Sequence, residues 1–95
     1  MELTLVLKTA KQKDWLKNMI PYVRMFRTKL DVLQKENINP GGNKELMHIQ
    51  RKIEKFALTG ERLGFTAEQI KQLNLLVSQK TQKGESSDQI YKSFL

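Results

Sequence analysis

The sequence predicts an all-α protein, a compact bundle of four helices plus a short C-terminal helix. Three observations carry that expectation. Apolar positions recur every three or four residues through most of the chain. The chain breakers are few and fall between these periodic stretches: Pro21, the run Asn37 to Asn43, Gly64 and Gly84. Residues suited to cap a helix follow several of those breaks. At 95 residues the chain fits one domain, 1–95, able to bury roughly 60–65% of its unfolded surface around one core.

The opening is the ambiguous part. Leu3, Leu5 and Leu7 alternate with Thr4 and Val6 as in a strand. No second strand-like segment exists to pair with it, and an unpaired strand exposes its backbone groups. Residues 3–20 are therefore read as a first helix, with Val6, Leu7, Ala10, Leu16, Met19 and Ile20 apolar. Pro21 suits a helix's first turn, where no N–H is needed. A second helix is expected to start there after a kink or tight junction. Its apolar face is Tyr22, Val23, Phe26, Leu30 and Leu33, with Arg24, Thr28, Asp31 and Lys35 opposite.

Asn37 to Asn43 contains Pro40, Gly41 and Gly42 and reads as a loop. Asn43 caps a third helix. Its stripe is Leu46, Ile49, Ile53, Phe56, Ala57, Gly60 and Leu63, and Gly64 ends it in the left-handed position. Gly60 lies inside the stripe, where it permits close approach of another helix. Thr66 and Gln69 form a capping box, and Phe65 with Ile70 a hydrophobic staple. The fourth helix runs to about Thr81, with Ile70, Leu73, Leu76 and Val77 inward. Beyond Gly84, Ser86 and Gln89 start the last helix, which docks through Ile90, Tyr91, Phe94 and Leu95.

Composition excludes more functions than it supports. There is no cysteine and one histidine, His48. That removes disulfides, thiolate nucleophiles and cysteine zinc sites. Glu54 and Glu61 share a helix face but stand among basic residues, as solvated charges do. No phosphate loop or nucleophile elbow occurs. The expectation is a non-enzyme with no catalytic residue, metal or cofactor. No stretch approaches the length of a membrane span, and the start lacks a signal-peptide pattern. A cytoplasmic location is expected.

What remains is charge: 17 Lys and Arg against 10 Asp and Glu, a net +7. Residues 8–35 hold eight basic groups against two acidic. Lys13 and Lys17, with Lys8 and Lys11, form one cluster. A second lies on the third helix, where His48, Arg51, Lys52, Lys55 and Arg62 oppose the apolar stripe. Met47 and Leu58 sit beside them, where a solvated face seldom carries large apolar groups. Such a face suits a phosphate backbone, an acidic protein groove or an anionic membrane. The plainer alternative packs Met47 and Leu58 under a neighbour and leaves the charges solvated. Trp15 is the one aromatic between the first-helix lysines, and a core position suits it better than base stacking. The last two helices have a helix-turn-helix layout, but Glu85 and Asp88 at the start of the second would repel phosphate.

The expected function is nucleic-acid binding through the basic helix face, by Arg51, Lys52, Lys55, Arg62, Lys13 and Lys17, with Met47 and Leu58 as apolar interface. The alternative is a protein-interaction module, such as a small inhibitor, adaptor or immunity-type bundle, on an acidic partner. Met25 and Val32, seven apart on the second helix, and the isolated Leu75 mark a further neighbour or a homodimer contact.

Overall fold

A computed structural model describes residues 7–95. Within it α1 spans Ala10–Lys35, α2 Lys44–Arg62, α3 Ala67–Gln82 and α4 Ser87–Ser93, with one 3-10 turn at Pro40–Gly42. The all-α bundle with a short C-terminal helix is the architecture observed, with no strand among the described residues.

The division of its first third differs from expectation. One unbroken helix of 26 residues replaces the two expected on either side of Pro21. Proline removes one backbone donor, so the Lys17 carbonyl loses its partner four residues on. Pro21 is exposed, so that carbonyl can bond water instead. Leu16, Met19, Ile20 and Val23 are fully buried around it. Their burial, about 1.5–3 kcal/mol each, outweighs a proline penalty of about 3 kcal/mol.

The start of α1 also lies later than expected. Thr9 is the N-cap: its hydroxyl accepts from the Gln12 N–H at 3.1 Å, and Gln12 Oε1 accepts from the Thr9 N–H at 3.3 Å. Leu7 to Thr9 are therefore outside the helix, and Leu7 packs against the core. The expectation of helix at residues 3–6 falls outside the described residues. Gln12 has a second task. Its Nε2 donates to the carbonyl of Leu63 at 2.7 Å, tying the start of α1 to the end of α2.

The remaining boundaries follow the caps read from sequence. Asn43 Oδ1 accepts from the Leu46 N–H at 2.9 Å, and Thr66 with Gln69 and Ser86 with Gln89 form complete capping boxes. Helices α2 and α3 end alike, at Gly64 (φ 105°) and Gly84 (φ 87°). The residue after each glycine donates to a carbonyl five residues back, Phe65 to Gly60 and Glu85 to Lys80, both at 3.1 Å. That closes the Schellman motif.

Helix α1 is the centre of the fold. It packs against α2, α3 and α4, while α2 and α3 touch each other far less. The core joins Trp15, Leu16, Met19, Ile20 and Val23 of α1 to Phe65, Ile70, Leu73, Val77 and Ile90. The Trp15 ring stacks on Phe65 with centroids 4.8 Å apart, and its Nε1 donates to the Phe56 carbonyl at 2.8 Å. Because α1 has neighbours on several sides, its buried arc is wider than one stripe. Arg24, expected on the solvent side, is half-buried and donates from Nη1 to Ser87 Oγ at 3.1 Å. At the other end of the expectation, Leu95 is exposed, and α4 docks through Ile90, Tyr91 and Phe94.

Candidate nucleic-acid interface

Helix α2 faces α1 through Leu46, Ile49, Ile53, Phe56 and Gly60. At 100° per residue the opposite arc holds Met47, Arg51, Lys55, Leu58 and Arg62. All five are exposed. His48, Arg51, Lys52, Glu54, Lys55 and Leu58 line one shallow concavity of 390 Å³ on this outer side. Arg62 continues the same arc toward the C-terminus of the helix. Among the described residues no neighbouring element covers Met47 or Leu58, which are 43% and 61% exposed.

The cations on this face form no ion pair among the described residues. Among the described residues the ion pairs are Arg27 with Asp31, Lys29 with Glu45 at 3.0 Å, and Lys92 with Asp88 at 3.0 Å. None includes Arg51, Lys52, Lys55 or Arg62. The Thr59 hydroxyl donates back to the Lys55 carbonyl at 3.0 Å, within its own helix. Glu54 and Glu61 occupy one flank of the face. Met47 and Leu58 run along its middle, and the bases hold the other flank.

Lys13 and Lys17 are exposed but belong to another surface. The side of α1 that meets α2 carries Trp15, bonded to Phe56, and Tyr22, whose ring lies 5.4 Å from that of Phe56. Both lysines lie about 160° around the helix from Trp15. The two basic clusters of the sequence thus fall on separate flanks of the molecule.

Larger concavities lie elsewhere among the described residues. Pro21, Met25 and Val32 line one of 470 Å³ beside Ile49. The larger, 550 Å³, is the slot between α2 and α3, floored by Val23, Phe26 and Ile53. Leu75 stands on its rim, which accounts for an apolar residue that looks isolated in sequence. Nothing in the sequence marks that slot, because it arises from how α2 and α3 lean apart on α1. Among the described residues no cluster of three or more His, Asp or Glu could hold a metal. No helix there is long and apolar enough to cross a membrane. Helix α4 is short and carries Asp88 in its first turn, engaged with Lys92.

No family model, no curated protein and no solved structure matches this chain.

Proposed function

We propose that this protein is a small accessory protein that binds nucleic acid through the outer face of α2, by phosphate contacts and without catalysis. The observation behind the proposal is that Arg51, Lys55 and Arg62, exposed on one face of α2, and the half-buried Lys52 beside them form no ion pair among the described residues. Cations left unpaired on a rigid scaffold attract a phosphate backbone, and their binding releases its counterions. Contacts of this kind position a protein without reading sequence. A net charge of +7 adds long-range attraction.

The test is retention on immobilised nucleic acid across a salt series. Binding is expected to fall steeply with salt, and the double variant Arg51→Glu, Lys55→Glu to elute much earlier. Retention unchanged in that variant rejects the proposal.

The exposure of Met47 and Leu58 on the same face favours a second reading, an interaction module for an acidic protein. That complex would persist in moderate salt and weaken on Leu58→Ser. Nucleic-acid binding would respond little to the same change.

A further inference from the structure

The nature of the nucleic acid follows from what the α2 face contains and what it lacks. We propose that this face docks along one backbone of double-stranded DNA without entering a groove. The inference rests on the phosphate-binding reading above and names its partner.

Binding a single strand needs aromatic rings for base stacking as well as charge. Every aromatic side chain of this protein is committed elsewhere. Trp15 is stacked on Phe65, Tyr22 lies against Phe56, Phe26 floors the α2–α3 slot, and Tyr91 and Phe94 pack on the core. None is on the α2 outer face. A flexible strand would be ordered there at an entropic cost with no stacking in return. A duplex arrives already stiff.

The cations suit such a partner. Arg51, Lys55 and Arg62 fall within about 40° of arc and span about 16 Å of helix rise. One strand of a duplex carries a phosphate about every 3.4 Å of axis and winds around that axis, so the three cations meet neighbouring phosphates on only part of that stretch. The row is held straight by α2 itself.

The acidic flank sets the docking mode. A helix inside the major groove has a phosphate backbone on either side of it. Here Glu54 and Glu61, neither in an ion pair among the described residues, lie on the flank of α2 toward α3, where Glu61 shares a concavity with Lys71, and a second strand passing that flank would meet them. They keep α2 on one strand and out of the groove, so bases go unread. Duplex RNA is recognised by its shape and by contacts to both phosphates and 2′-hydroxyls, and the second kind of contact needs hydroxyl-binding polar groups. The Thr59 hydroxyl is turned into its own helix and the centre of the face is apolar, so DNA is the better match.

Fluorescence anisotropy on the intact protein decides the matter, with three labelled probes of equal length: a mixed-sequence DNA duplex, an oligothymidine and an RNA duplex. The DNA duplex is expected to bind at least about tenfold more tightly than either other probe, a difference of about 1.4 kcal/mol. Its affinity should not vary with sequence. Glu54→Lys and Glu61→Lys are expected to strengthen duplex binding and steepen its salt dependence. All these positions are exposed, and circular dichroism confirms that each variant keeps its fold. Failure of every probe to bind at low salt overturns the functional reading itself. Oligothymidine bound as tightly as duplex, with sensitivity to Arg51→Glu and Lys55→Glu retained, overturns the duplex inference alone. An RNA duplex bound as tightly as DNA overturns the choice of DNA. Weaker duplex binding by the Glu→Lys variants overturns the one-strand mode.

Discussion

Gly60 lies against the Trp15 ring so closely that a Cβ on it would stand 2.6 Å from Trp15 Cζ2. The same Cβ would be 3.0 Å from Ile70 Cδ1. The absence of one carbon is what lets α2, α1 and the start of α3 meet. In an open helix Gly→Ala gains about 1 kcal/mol. Here overpacking costs about 1–3 kcal/mol, and Trp15 cannot retreat because its Nε1 is bonded to the Phe56 carbonyl. Gly60→Ala is therefore expected to lower stability, contrary to its helix propensity. Urea unfolding followed by Trp15 fluorescence measures it, and a stabilised variant would contradict the packing described.

Pro21 gives the opposite expectation. It sits inside α1 on the exposed side, where its missing donor leaves the Lys17 carbonyl to solvent. Pro21→Ala restores the bond and should stabilise the fold by about 1–3 kcal/mol. For a domain of this size that raises the melting temperature by about 4–8 °C per kcal/mol. Calorimetry reads the change directly, and a lower melting temperature would show that the proline shapes α1 in a way the rest of the core requires.

Gln12 works on two helices at once. Gln12→Ala removes one half of the Thr9 capping box and the bond to the Leu63 carbonyl. Losing a cap and a hydrogen bond together should cost about 1–2 kcal/mol. Gln12→Glu keeps the acceptor and loses the donor to Leu63. It should fall between the wild type and Gln12→Ala in denaturant midpoint.

Leu73 and Leu75 are two residues apart on α3 and opposite in burial, 0% against 59% exposed. Leu73→Ala should cost about 2–5 kcal/mol. Leu75→Ala should change stability by less than about 0.5 kcal/mol. Parallel chemical denaturation of the pair checks the orientation of α3.

Much of this fold was legible because its helix ends are written in local chemistry. Asn43, Gly64, Thr66 with Gln69, Gly84 and Ser86 with Gln89 all act where the sequence places them. The Thr9–Gln12 box carries the same signature and could have been read in the same way. It was hidden by the apolar alternation just before it. Pro21 misled because its local preference for a helix start competes with burial of Leu16, Met19, Ile20 and Val23, which only the packed state reveals. The basic face of α2 was visible as a helical-wheel pattern, since α2 meets the bundle on one side. The separation of Lys13 and Lys17 from it was not, because it depends on which side of α1 receives α2. The α2–α3 slot has no local signature at all.

The central place of α1 has a consequence for how the molecule opens. With α2, α3 and α4 each resting on that one helix, no pair of helices can detach together as a stable sub-bundle. Local openings should be limited to α4 and the helix ends, while the amide protons around Leu16 to Val23 exchange only when the whole chain unfolds. Their protection would then equal the global free energy of unfolding, making the middle of α1 the slowest-exchanging segment of the protein.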